Sequence, residues 1–152
     1  MFILTVFSLS FFGCSDDDRS QPQTDSDYLI FGHFYGMCHG DDCMATFKLT
    51  GEALYEGNPA GDGSFEFTEL PSENFNIARG LLEKIPDNLL DEDDQTFGCP
   101  DCADQGGMYI QVSVNGKVQT WLLDQNKARV PDYLHQFMDE INAAIWELIG
   151  WE

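Results

Sequence analysis

The sequence predicts an α+β domain, an antiparallel sheet of about five to six strands with two helices packed on one face. Three observations predict it: short runs rich in aromatic and β-branched residues come first, two stretches with apolar residues at helical spacing follow, and an Asn-Gly dipeptide joins two strand-like runs. Strands, helix, hairpin and helix in that order give segregated α and β elements rather than an alternating βαβ fold.

Residues 28–35 form the first strand, with Leu29, Phe31, His33 and Tyr35 on one face and Tyr28, Ile30, Gly32 and Phe34 on the other. Both faces are largely apolar, so this strand belongs in the sheet interior. Residues 44–49 read as a second strand, and 53–56 and 64–68 as two more, separated by the turn-forming Gly57-Asn58-Pro59-Ala60-Gly61-Asp62-Gly63. Ser72, after Pro71, is placed to cap a helix carrying Phe75, Ala78, Leu81, Leu82 and Ile85 at helical spacing until Pro86 ends it. An acidic loop with Asp91-Glu92-Asp93-Asp94 leads to strands over 108–114 and 117–123, whose Asn115-Gly116 link tolerates the positive φ of a type I′ turn. Pro131 opens the last helix, striped by Tyr133, Leu134, Phe137, Met138, Ile141, Ala144, Ile145 and Leu148, and Gly150 is placed to end it.

Ahead of this domain, residues 1–13 carry no charge and hold an apolar run from Phe2 to Phe12, the length of a signal-peptide core and too short for a transmembrane helix. The junction Gly13-Cys14 resembles the lipobox at which bacterial lipoproteins are cleaved and acylated, although Phe11 and Phe12 stand where that motif usually has Leu and a small residue. The resemblance makes Cys14 the lipidated first residue of the mature chain, its acyl chains (palmitate among them) holding the protein on a membrane. Residues 14–27 then form a flexible acidic tether and 28–152 the single α+β domain. The run Ser15-Asp16-Asp17-Asp18 is similar to the surface-export signal of Bacteroidota lipoproteins, which implies the outer membrane and its outer face, with the periplasmic face as the alternative. A net charge of −20 repels phosphate backbones and excludes nucleic acid as a partner, leaving the membrane, through the anchor, and an unknown protein or small-molecule ligand.

The remaining cysteines fall in two pairs, Cys38/Cys43 and Cys99/Cys102, and three chemistries fit them. Export to an oxidising compartment favours disulfides, with local closure of Cys38 to Cys43 and Cys99 to Cys102 preferred over a crossed pairing. A tetrahedral zinc site of all four thiolates, with His39 as a spare ligand, is the rival. A redox dithiol at Cys99 and Cys102 is the third; it lacks a helix N-terminus to stabilise a thiolate and has Asp101 and Asp104 beside it.

Calcium is the other candidate ion, yet Asp91-Glu92-Asp93-Asp94 lacks the alternating acids of an EF-hand loop and reads as a solvated charge run. Asp41, Asp42, Asp101 and Asp104 would share one site only if the two cysteine loops meet. No committed cofactor follows, zinc and calcium being the alternatives. His33 lies in a strand, His39 in a loop and His135 on the last helix; no serine sits in a nucleophile elbow and no glycine-rich phosphate loop is present.

The segments Phe31-Gly32-His33-Phe34-Tyr35-Gly36-Met37-Cys38, Gly98-Cys99-Pro100-Asp101-Cys102-Ala103-Asp104 and Val130-Pro131-Asp132-Tyr133-Leu134 resemble an uncharacterised family of Bacteroidota lipoproteins with two cysteine-pair loops. More distantly, the cysteine turn, Asn-Gly hairpin and proline-initiated final helix are similar to a broader bacterial domain family of unknown function. The resemblance implies fold and location and supplies no reaction. The function expected is a membrane-anchored, noncatalytic binding or envelope-associated module; the alternative is a metal-binding or redox protein built on the Cys38/Cys43 and Cys99/Cys102 loops.

Overall fold

The computed structural model describes residues 27–36, 44–60 and 64–150. Its strands are β1 (Tyr28–Phe34), β2 (Met44–Thr50), β3 (Leu54–Pro59), β4 (Phe65–Glu69), β5 (Gln95–Phe97), β6 (Gly107–Val114) and β7 (Lys117–Asp124). They form one sheet in the order β4-β3-β2-β1-β6-β7-β5. Neighbours pair antiparallel, except that β5 runs parallel to β7. The α+β class, the mostly antiparallel sheet and the interior position of β1 match the sequence reading.

Two counts do not. Among the described residues the sheet has seven strands rather than five to six. β5, missed in the acidic loop, has three residues, too few for alternation to register. The helical layer of the described residues has three α-helices, α1 (Ser72–Ala78), α2 (Asp87–Leu90) and α3 (His135–Leu148), with 3-10 turns at Leu82–Lys84, Lys127–Arg129 and Asp132–Leu134.

The single helix expected from Ser72 to Ile85 breaks after Ala78, where Gly80 disfavours continuation. Leu81 and Lys84 then donate to carbonyls three residues back, those of Ala78 and Leu81, which tightens the chain into a 3-10 turn and keeps Ala78 and Leu81 in the core. Ser72 is the first helical residue and makes no capping bond; Pro71 holds the N-cap position. Pro86 likewise stops one helical stretch and starts the next, α2.

One hydrophobic cluster joins these layers. Leu29 and Phe31 of β1, Phe47 and Leu49 of β2, Leu54 of β3, Met108, Ile110 and Val112 of β6, and Trp121 and Leu123 of β7 bury one sheet face. Against them lie Ala78, Leu89 and the α3 stripe Phe137, Met138, Ile141, Ala144 and Ile145. Each large apolar side chain so buried contributes about 1.5–3 kcal/mol to stability. At the hairpin, Asn115 (φ 53°) and Gly116 (φ 78°) take the left-handed conformations that a type I′ link requires.

The opposite face is curled. Phe65 of β4 and Tyr109 of β6 bring their ring centroids to 6.1 Å, although β3, β2 and β1 lie between their strands. On a flat sheet that separation would be roughly 19 Å. Gly32, at the centre of β1, permits the bend: a Cβ there would lie 2.2 Å from the Ala45 carbonyl oxygen. Gly57 pairs directly with Phe67, whose ring covers it.

Candidate functional site

The concave side of the curl collects side chains from five strands. Tyr28 and Ile30 (β1), Lys48 (β2), Phe65 and Phe67 (β4), Tyr109 and Gln111 (β6) and Thr120 (β7) share this face by register. The rings of Tyr28, Phe65, Phe67 and Tyr109 are half-buried, neither sealed in the core nor fully open.

Gln111 organises the polar part. Its Oε1 accepts from the Tyr28 hydroxyl at 3.3 Å, while its Nε2 donates to Tyr109 Oη at 3.0 Å and to Thr120 Oγ1 at 3.1 Å. Tyr109 and Thr120 both receive a hydrogen bond from Gln111 and are hydrogen-bonded to each other, so the pair keeps one hydroxyl hydrogen to give. Burial pushes the Tyr109 phenol above its ordinary value, against the hydrogen bonds of Thr120 and Gln111, so it stays protonated at neutral pH. Lys48 Nζ lies 4.5 Å from the Tyr28 ring centroid and 5.5 Å from that of Phe67, a cation held between two aromatic faces. Beneath them, the Thr46 hydroxyl is buried without a hydrogen-bond partner among the described residues.

No protein-family model and no curated protein matches the chain.

The residues singled out from sequence lie elsewhere. Cys14, Cys38, Cys43, His39, Asp41 and Asp42 fall outside the described residues, and with them the lipid site, the Cys38–Cys43 pairing and half of any four-cysteine site. Cys99 and Cys102 meet at disulfide distance, with Cα atoms 5.5 Å apart, in a turn that leads into β6. Asp101 sits in that turn with φ 59°, and both its carboxylate oxygens accept backbone N–H groups, from Gly106 at 2.8 Å and from Gly36 at 2.7 Å. Asp101 is thus a latch that ties the second cysteine loop to the chain just before Cys38. Asp104 is exposed. Among the described residues no three His, Cys, Asp or Glu side chains converge on a common point.

Asp124 anchors the same loop from below. Fully buried, it accepts the Cys99 amide at 3.0 Å and the Asn126 amide at 2.8 Å, and stands 3.4 Å from Arg129 Nη1. Burial raises its pKa, but the Asn126 and Cys99 amides and Arg129 together outweigh that and hold the carboxyl below its usual range.

The histidines have structural partners. His33 is buried on the helix side, 2.6 Å from Asn142 Oδ1 and beside the Trp146 ring, and burial lowers its pKa. His135 Nε2 faces the Lys127 and Val130 carbonyls at 2.8 and 3.0 Å. The acidic run is also more than a solvated loop: it docks along the sheet edge. Gln119 Nε2 donates to the Glu92 carbonyl, Trp121 Nε1 to the Asp93 carbonyl, and the Thr120 amide to Asp94 Oδ1. A second concavity of about 270 Å³, lined by Lys84, Pro86, Tyr133, Gln136, Phe137 and Glu140, is bridged by the Lys84–Glu140 ion pair at 3.1 Å.

Sequence reasoning missed Lys48, Gln111, Tyr109 and Thr120 as a group. The available signal was the second face of the hairpin, where Tyr109, Gln111, Thr120 and Leu122 alternate with core residues, but only the curl brings β4 over it.

Proposed function

We propose that this chain is a lipid-anchored, noncatalytic binding module of the outer-membrane surface, attached through Cys14 and contacting its ligand with the concave aromatic face. The observation that carries the binding part is the chemistry of that face. Half-buried rings surround a small set of oriented polar groups, the composition of a recognition site rather than of a solvated sheet surface. The signal-like segment, the Gly13-Cys14 junction and the acidic tether support the anchoring. Among the described residues no helix is long and apolar enough to cross a membrane. Two acyl signals on one cysteine suffice for stable attachment without such a helix.

The noncatalytic part is supported by the partners of the titratable groups. Asp101, Asp124 and His135 bond the backbone, His33 bonds Asn142, and Glu140 is paired with Lys84. Each is committed to holding the fold. The second reading, a metal or redox protein, rests on the cysteine pairs; the connection through Asp101 between the second loop and Gly36 favours it to the extent of bringing the loop bases together.

The anchor is tested in cells by metabolic labelling with a radiolabelled fatty acid and by adding protease to intact cells. The wild-type chain is expected to carry the label and be digested, and Cys14→Ala to lose the label. Label that persists in the variant, or a wild-type chain without label, overturns the lipid anchor at this residue.

A further inference from the structure

We infer that the concave face binds a saccharide bearing a single carboxylate, with Lys48 as the anchor for the acid. This rests on the binding reading above and names the ligand class of the same site. Lys48 is the charged group of this face. Its chain carries 27 acidic residues; Lys84, Lys127 and Arg129 each stand within ion-pair distance of one, and Arg79 and Lys117, without an ion pair among the described residues, are exposed to solvent. Lys48, half-buried on a strand in the middle of the sheet, makes neither an ion pair nor a hydrogen bond among the described residues; only the Tyr28 and Phe67 rings face it. Those rings favour the cation without using any of its three N–H donors.

The neutral groups around it lean the same way. Gln111 spends both Nε2 hydrogens on Tyr109 and Thr120, Tyr28 gives its hydroxyl hydrogen to Gln111, and Tyr109 and Thr120 bond each other, leaving the ammonium and one hydroxyl hydrogen as what the face can offer. The unspent ammonium donors call for a ligand with clustered acceptors, and the cation calls for one formal negative charge. Half-buried tyrosine and phenylalanine rings supply flat apolar surfaces, which match the C–H face of a pyranose, while hydroxyls at the sugar's rim match the Tyr109 and Thr120 hydroxyls and the remaining lone pair of Gln111 Oε1. Total charge limits the number of acids: at −20 the protein repels a polymer with an acid on every sugar, whereas one carboxylate at Lys48 is locally compensated.

The test is a calorimetric titration of the lipidated chain in neutral detergent with three probes. These are a disaccharide of glucuronic acid and a neutral hexose, the same disaccharide with its carboxyl reduced to an alcohol, and benzoate as a flat acid without hydroxyls. The acidic disaccharide is expected to bind saturably, with affinity falling about tenfold or more when its carboxyl is reduced or when Lys48 is replaced by Met, the loss of one charge-assisted contact. Lys48→Arg keeps the charge and is expected to stay within a few-fold of wild type. Thermal unfolding of both variants checks the fold.

No saturable binding of the acidic disaccharide, equal binding by a folded Lys48→Met variant, or tighter binding of benzoate each overturns the inference. Equal affinity for the acidic and reduced disaccharides, abolished by Phe65→Ala and Tyr109→Ala, overturns the role of the acid while leaving the binding module standing.

Discussion

Two buried ionisable side chains, Asp124 and His33, each contribute to the dependence of stability on pH, and they act in separate windows. Asp124 satisfies the amides of Cys99 and Asn126 inside the protein. Asp124→Ala leaves those donors without their acceptor and is expected to cost about 2–4 kcal/mol in urea unfolding at neutral pH. Its pKa is lower folded than unfolded, so the stability it supplies is present above the ordinary carboxylate range and is lost as pH falls through the folded value. His33 works higher on the scale. Above pH 6.5, its ordinary value, both folded and unfolded chains hold it neutral and its contribution is flat. Below that, the unfolded chain takes up a proton that buried His33 refuses until its lowered pKa is reached, so stability declines by up to about 1.4 kcal/mol per pH unit. Urea unfolding between pH 7 and 5 is expected to show this slope in the wild type and a shallower one in His33→Gln. An unchanged slope in the variant would remove His33 from the account.

At the scale of elements, the turn carrying Cys99 and Cys102 is tied down by a set of side chain-to-backbone bonds. Asp101 bonds Gly36 and Gly106, Gln105 Nε2 bonds the Cys99 carbonyl, and Asp124 bonds the Cys99 amide. Asp101→Ala is expected to raise amide hydrogen exchange at Gly36 and Gly106 by tenfold or more, the loss of about 1.4 kcal/mol of local protection, while leaving exchange in β6 and β7 unchanged. Equal protection in the variant would mean the loop is held by something else. Such bonds are also why this element was hard to read from sequence: Asp101 and Asp104 look like surface acids, and their left-handed backbone leaves no mark in hydropathy. The long amphipathic elements were legible for the opposite reason. The α3 stripe and the Asn115-Gly116 hairpin declare themselves locally, by period and by turn chemistry. The first helix was half legible: its apolar spacing was right, but Gly80 and the fit of Ala78 and Leu81 against the sheet decided where it would break. β5 exists only because β7 offers an edge to Gln95–Phe97.

Over the whole molecule, one sheet serves two purposes. One face, backed by α1, α2 and α3, supplies the core; the other curls until β4 meets β6 and gathers Lys48, Gln111, Tyr109 and the surrounding rings. Strand assignments made the core face predictable, because alternation needs only local order. The concave face depends on strand order and curvature, set by long-range pairing and by the approach at Gly32, so its members look unrelated along the chain. The cysteines separate the binding module from its rival. Cys99 and Cys102 meet at disulfide distance, and a loop this short adds to stability only at the low end of the usual range for a disulfide, about 2 kcal/mol or less. The central claim, a lipid-anchored and disulfide-closed binding module, is tested most directly by native and intact mass spectrometry of the protein extracted from membranes without reductant, before and after reduction and alkylation. The account predicts a chain beginning at Cys14 with lipid attached, no bound metal, and four alkylated cysteines that appear only after reduction. An unlipidated chain, or one with four free thiols and one zinc ion, would contradict it.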